Sequence, residues 1–470
     1  MAWSFWQQRH PKLASVMARE THGTMRNAVA PLWQGRGFLN RRPRSLAVGS
    51  LLLFVSAAAS AQTAPGSGGQ TLPAEPPAQQ TPTAQPGAQP TGNLILSIWN
   101  QDTLTDDWNG WRKRLLDAGV VLGLQEQSEL WGNMTGGLRQ GVVYDGLTTA
   151  SVQLDLGRLL GWDDMTFFVS GYQIHGRGPS ENLVGNLQFL SNVEATRDTK
   201  LYALWLEQKF LRGRLTLRLG QEGANDQMMI TQYGALFLNA SFGYPALAAV
   251  DLPDGGPNYP LAAPFVRAQY EATSKITAIG AVFTADPARS GLGDPDMRDK
   301  GGVAFRLNDH VLVFTELWYA LNQEEGAPGL PGTYKLGAWF ASGHLNSPVL
   351  ASNGLPLASP ASSGMPLGHA TDYAVYGIVD QLVRRNPGSK DKGIGVFLQV
   401  KGAPGNCNLS NLFIEGGLNW TAPLSGRDND AFGWALRILA SARPPCASAA
   451  TRCSIPAPAS PMPATRRWSS

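Results

Sequence analysis

The chain has 470 residues, with 43% hydrophobic and only 16% charged side chains. Charged content that low argues against a solvated helical protein and against an acidic disordered chain. The formal charge of +3 averages unlike parts: residues 1–61 carry 8 Lys/Arg and one acid, residues 431–470 carry 5 Arg and no acid, and residues 62–430 carry 25 bases and 34 acids, about −9. The central region therefore has no basic surplus to attract nucleic acid. The 53 Gly and 33 Pro are not periodic, which excludes collagen and suggests many turns. Cys407, Cys446 and Cys453 form neither a disulfide framework nor a zinc pattern.

Leu46 to Ala59 is an apolar run preceded by Arg41, Arg42 and Arg44 and followed by Ala59-Ser60-Ala61. A basic flank, a short apolar segment and a small-x-small site read as a secretory signal peptide. The run is short of the ~20 residues that a membrane helix needs. Residues 1–61 are thus an N-terminal extension and cleaved signal, and the protein is exported. Residues 62–92 are rich in Pro, Gln, Ala and Thr and read as a disordered linker. Residues 93–118 place Trp99, Leu104, Trp108 and Trp111 among charged residues, as a short amphipathic element would.

From Gly119 the period becomes two. Val152, Leu154 and Leu156 oppose Ser151, Gln153 and Asp155; Leu215, Leu217 and Leu219 oppose Arg214, Thr216, Arg218 and Glu222. Leu204, Leu206 and Phe210 oppose Trp205, Glu207 and Lys209. Ile394, Val396, Leu398 and Val400 oppose Gln399 and Lys401; Leu412, Ile414, Leu418 and Trp420 oppose Glu415 and Asn419. Strands put alternate side chains on opposite faces. Roughly a dozen such segments fill residues 119–436, separated by turn clusters such as Gly176-Arg-Gly-Pro and Asn386-Pro-Gly-Ser.

Such alternation fits either a sandwich with a buried apolar face or a membrane barrel with its apolar face in lipid. Polar faces that mix Arg, Lys, Glu, Gln and Trp favour the barrel. So do segments of the ~9–11 residues that a tilted span needs. Trp131, Trp162, Tyr172, Phe210, Tyr319, Phe340 and Trp420 lie near segment ends, as interfacial girdles do. Two inserts break the alternation: Glu181 to Glu194, with helical spacing at Leu183, Leu187 and Leu190, and Asp226 to Ser241. Either can fold inward to narrow a channel or lie as ordinary surface structure. The expected fold class is all-β, a transmembrane antiparallel β-barrel.

The block Leu215 to Ala246 carries a strand, an acidic-hydrophobic loop and a segment with Phe237, Asn239, Phe242, Gly243 and Pro245 in an F-x-N-x-x-F-G-x-P pattern. With Trp111 to Gly119 and Gly157 to Gly171, this block makes the chain resemble the OprB family of carbohydrate-selective porins, from about Trp111 to about Asp430. The resemblance implies a sixteen-stranded barrel in the cell outer membrane that passes monosaccharides, glucose typically, by passive diffusion. It implies a carbohydrate substrate, contact with outer-membrane lipid and no cofactor. It leaves the oligomeric state open.

The chain departs from the family at its end. After Gly433 the alternation is read to stop, and residues 437–470 become an Ala/Pro/Arg-rich tail with Cys446, Cys453 and no carboxylate. That composition reads as a shifted frame or as a genuine tail. Either way the barrel is expected to be incomplete at the C-terminus.

The side chains expected to line the lumen and meet substrate are Trp205, Glu207, Lys209, Arg218, Glu222, Arg267, Gln269, Glu316, Trp318 and Lys401. Their aromatic faces and hydrogen-bonding groups suit sugar rings and hydroxyls. Gln153, Asp155, Lys335, Trp339 and Glu415 share that face, and Trp205, Glu207, Arg218 and Glu222 are the favoured constriction. No catalytic or metal role is expected. Glu126 with Glu129, or Asp163 with Asp164, lack a supporting constellation for glycoside hydrolysis. His175, His310, His344 and His369 lack ligand spacing. The alternative is a secreted sugar-binding β protein outside any membrane, which would bury its apolar face.

Overall fold

The computed structural model describes residues 107–441, except positions 187, 245–250, 290, 292, 325–326, 358, 390–391, 406–407, 425 and 428–429. The signal peptide, the linker, residues 93–106, Leu187, Pro245 and the three cysteines lie outside the described residues, as does the tail beyond 441. Described residues contain no helix long and apolar enough to cross a membrane.

A short helix, α1 (Trp111–Asp117), leads into thirteen strands. These are β1 (Val120–Asn133), β2 (Gly141–Asp155), β3 (Met165–Gly176), β4 (Thr199–Phe210), β5 (Leu215–Glu222), β6 (Ala263–Glu271) and β7 (Ile276–Thr284). Then follow β8 (Val311–Leu321), β9 (Gly332–Ala351), β10 (Pro366–Arg385), β11 (Gly393–Gly402), β12 (Ser410–Thr421) and β13 (Ala431–Ser441). They form one sheet in chain order, each strand antiparallel to the next. Among the described residues β1 and β13 do not pair with each other. Among the described residues, thirteen strands thus stand against the sixteen that the resemblance implies.

Cross-strand register carries each face unbroken across the sheet. Leu206 pairs with Leu219, Leu219 with Val266, Val266 with Val282, and Val282 with Val313. This outward face stays open: Leu219, Leu317, Leu336, Val375 and Ile438 are exposed, Leu336 at 65%. The opposite face is covered. Phe265, Phe283, Phe314, Leu312 and Trp339 are buried beneath segments that connect the strands.

Several expectations need correction. Alternation does not stop at Gly433: β13 reaches Ser441, with Trp434, Leu436 and Ile438 outward and Arg437 inward. Ala431–Ser441 pairs along β12, so backbone hydrogen bonds carry the strand through 437–441, the first part of the stretch read as a tail. Trp131 and Tyr172 do not belong to an outer girdle. Trp131 lies on the inner face and donates its Nε1–H to Glu129 at 2.9 Å, and Tyr172 is buried against Tyr202 with ring centroids 4.2 Å apart. Phe210, Tyr319, Phe340 and Trp420 do face outward. Gly157 lies in a helical turn, α2 (Leu156–Leu160), capped by Asp155, so Leu156 does not continue the strand row.

The end with long connections holds the structure that fills the sheet. Between β3 and β4, a helical turn at Ser180–Val184 buries Leu183. Glu194 gathers this connection, accepting from the backbone N–H groups of Ser180, Leu190 and Ser191. Burial raises the Glu194 carboxyl above its ordinary range despite those donors. Between β7 and β8, Asp294 caps another short helix, α3 (Pro295–Arg298).

Candidate substrate channel

The segment between β5 and β6 decides the shape of the interior. Its 3-10 turns at Ala224–Asp226, Gly234–Leu236 and Ala240–Phe242 cannot alternate, so the segment leaves the wall and crosses the inner face. Each step finds a partner on a different strand. The Met229 N–H donates to Glu316 on β8 at 2.8 Å, and Lys335 Nζ on β9 donates to the Ile230 carbonyl at 2.9 Å. Asp380 on β10 accepts the Thr231 hydroxyl and the N–H groups of Gln232 and Tyr233, the last two at 3.0 and 3.2 Å. Gln399 on β11 donates to the Gly243 carbonyl at 3.0 Å, and Asn419 on β12 to that of Tyr233 at 3.4 Å. Arg437 on β13 donates to Asn239 Oδ1 at 2.8 Å. Lys401 pairs with Asp251 at 2.9 Å, both almost wholly buried. The inward-folding alternative for Asp226 to Ser241 is the one realised. Satisfying so many groups hidden from water makes the crossing stable rather than incidental.

The second insert joins the first. Tyr259 Oη donates to the Val193 carbonyl at 2.8 Å, and Asn192 donates to that of Phe237 at 3.0 Å. Farther along, Arg298 pairs with Asp254 at 2.6 Å, linking the connection after β7 to the crossing segment, and Arg306 pairs with Asp286 at 3.0 Å within that connection.

The expected site residues separate into two groups. Trp205, Glu207, Arg218, Glu222, Arg267 and Gln269 sit together on the inner wall of β4, β5 and β6. Arg218 contacts Glu207 at 2.6 Å and Glu222 at 3.6 Å, and Arg267 lies directly across from Arg218. Arg267 also bonds Gln269, and Glu222 bonds Gln227 of the crossing segment. Arg218 thus bridges two carboxylates, with Arg267 beside it. Trp205 donates to Glu222 at 3.2 Å. One face of Trp205 stacks on Phe168 at 5.0 Å between centroids, and Arg218 lies over the ring at 4.0 Å. A sugar stacking on Trp205 would have to displace one of these. Lys209 shares the face but stands exposed at the strand end.

Glu316, Trp318 and Lys401 form the other group, in which Glu316 and Lys401 hold the crossing segment. Glu316 also accepts from Tyr376 at 2.7 Å and from Trp318 Nε1 at 2.5 Å, while Lys335 Nζ lies 4.2 Å above the Trp318 ring. Trp339 and Glu415 are buried on this side, and Lys401 covers Trp339 at 5.4 Å.

Sequence reasoning missed Asp380, although it alternates in step with inward Tyr376 and Ile378. It also missed the inner row of β1: Gln125, Gln127, Glu129 and Trp131. Glu126 and Glu129 lie on opposite faces of β1, so they cannot flank one substrate.

The family model for carbohydrate-selective porins of the OprB family matches residues 139–440. A high-pH structure of Pseudomonas putida OprB is similar at 22% identity and a TM-score of 0.63, covering 72% of this chain and 79% of that one. A low-pH structure of the same protein matches at 16% identity and a TM-score of 0.44, covering 72% and 82%. A search of curated proteins gives no significant match. The likeness at 0.63 supports an all-β porin fold, and the family match spans most of the sheet from β2 to β13. The chain belongs to the OprB family of carbohydrate-selective porins.

Proposed function

We propose that this protein is an outer-membrane channel for passive diffusion of monosaccharides such as glucose, exported through its signal peptide. The observation that carries the reading is the crossing segment, tied to β8 through β13 and, through Gln227, to Glu222 on β5, with polar residues continuing along the inner rows of β1 and β2. Gln125, Gln127, Thr149, Ser151 and Gln153 continue that wall from the Glu207–Arg218–Glu222–Arg267 cluster. Amide, hydroxyl and charged groups at fixed spacing exchange hydrogen bonds with sugar hydroxyls and replace water step by step. Near-balanced charge in the cluster suits a neutral, hydroxyl-rich solute better than an ion of either sign. Trp205 and Trp318, with cations over their rings, act as rigid spacers that set the polar groups; polar edges carry the sugar contacts.

The outward row supports a membrane over a secreted sugar-binding protein, because its Leu, Val, Ile and aromatic side chains remain exposed. Swelling of proteoliposomes in isotonic glucose, sucrose and gluconate tests the proposal. Glucose should enter fastest, sucrose more slowly through the narrowed lumen, and gluconate with no advantage despite similar size. Equal rates for all three would refute sugar selectivity.

A further inference from the structure

The inner wall changes character where β1 and β2 approach the long connections. Glu129 of β1 lies directly across from Asp145 of β2, and both face inward. Glu194, from the connection between β3 and β4, comes close enough that it and Glu129 both act electrostatically on Asp145. None of the three carboxylates forms a salt bridge with a described residue. Two of them are occupied by neutral donors. Glu129 accepts from Gln127 Nε2 and from Trp131 Nε1, each at 2.9 Å. Glu194 accepts the Ser180 hydroxyl and three backbone N–H groups. Asp145 is left open. It is 2% exposed, and neither of its oxygens has a hydrogen-bond partner, although the Ser191 hydroxyl stands nearby.

A buried carboxylate without donors is costly, and two carboxylates beside it add to the cost. A positively charged donor lowers it. One open carboxylate does not suit a divalent cation, which takes about six oxygens. Among the described residues no group of three His, Cys, Asp or Glu is placed to hold a metal ion. An ammonium group suits the place better, with three donors on one small charged centre.

Trp131 supplies the second part of the site. It is half-buried on the inner face, and Glu129 holds the edge of its indole. Among the described residues no aromatic ring or cation lies over it, whereas Trp205 carries Phe168 and Arg218, and Trp318 carries Lys335. A rigid aromatic face beside an open carboxylate can take the apolar side of a pyranose ring while the carboxylate takes its charged substituent.

We propose that Trp131, Glu129 and Asp145 form a binding site for an amino sugar, with its ammonium group between the two carboxylates and its ring on Trp131. The inference rests on the channel reading and extends its substrates from neutral to cationic monosaccharides. Glu129 is half-buried, so the ammonium group approaches from the lumen past Glu129 and completes the shell of Asp145. A neutral hydroxyl would leave the negative charges unbalanced.

Single-channel current in planar bilayers at pH 6, where the glucosamine amine is protonated, tests this with glucosamine, glucose and N-acetylglucosamine, whose nitrogen is a neutral amide. Glucosamine should half-block the wild-type channel at a concentration about tenfold below that of glucose, the scale of one charge-assisted hydrogen bond. N-acetylglucosamine should show no such advantage. Asp145→Asn, nearly isosteric, should bring the glucosamine-to-glucose ratio close to one. Equal half-blocking concentrations for glucosamine and glucose in the wild type would overturn the proposal without any variant. So would an advantage that N-acetylglucosamine shares, or one that survives Asp145→Asn in a folded channel. In those cases block by glucose would leave the channel reading standing, whereas a chain that passes no current would remove both.

Discussion

Replacing Asp380 by Ala should release the crossing segment from the channel wall. The Asp380 carboxylate is 2% exposed and accepts three donors from consecutive residues, Thr231, Gln232 and Tyr233. Hydrogen bonds to charged groups contribute about 1.5–3 kcal/mol each, and they do not add fully because one carboxylate serves all three. A net loss of about 3–5 kcal/mol for the docked segment follows. At 1.4 kcal/mol per tenfold, the docked-to-released ratio falls about 10²- to 4 × 10³-fold. Glu316 to Met229 and Lys335 to Ile230 still hold the preceding residues, and Asn192 to Phe237, Arg437 to Asn239 and Gln399 to Gly243 hold the following ones, so Thr231 to Tyr233 should loosen first. Single-channel recording in planar bilayers reads this directly. The variant should show larger and noisier conductance and admit sucrose faster, while Asp380→Asn, which keeps one acceptor oxygen, should fall between. Unchanged conductance and unchanged solute cut-off in a folded Asp380→Ala channel would refute the reasoning that this carboxylate holds the constriction.

Other outcomes follow from the same geometry. Glu207→Gln removes one of two negative charges facing Arg218 and Arg267, so the reversal potential in a salt gradient should move toward anion preference; no movement would place the cluster off the ion path. Gly220→Ala would set a Cβ 2.1 Å from the Leu204 carbonyl at a φ of 150°, so β4 and β5 could not pair and the heat-modifiable folded band should be lost on gels. The Asp286 carboxyl is pushed up to about 7, first by burial and then by Asp254, against the pull of Arg306. A raised carboxyl favours the packed loop fully below its unfolded value near 4, and that contribution is lost as pH rises through about 7. Hydrogen exchange across residues 286–306 should therefore be slower at pH 5 than at pH 8 after correction for intrinsic rates, and Asp286→Asn should flatten the difference.

Strand alternation was legible where one face is apolar and the other polar. Leu215, Leu217 and Leu219 against Thr216 and Arg218 is such a case, and this alternation puts Glu207 and Arg218 on one wall. It was less legible where both faces are apolar. β7 buries Ile279, Ala281 and Phe283 inward under the connecting segments while Val282 faces out, so hydrophobicity alone does not tell inside from outside. Trp131 and Tyr172 were misplaced for a related reason: an aromatic at a strand end suits an interfacial girdle and a covered lumen equally. The register shift between Ser170 and Gly171 also lets Tyr202 and Ala203 both be buried, which a strict period of two forbids. The ties of the crossing segment were beyond reach altogether. Thr231 meets Asp380 and Asn239 meets Arg437 across most of the sheet, and no local pattern encodes such pairs.

The most direct test of the account is the current through the purified chain in a planar lipid bilayer as glucose is added. The sheet as channel wall, with the crossing segment in its lumen, calls for discrete conductance steps that glucose lowers in a concentration-dependent, saturable way. Protein that inserts and stays folded yet conducts nothing, or a chain that remains monodisperse in water without detergent, would contradict it.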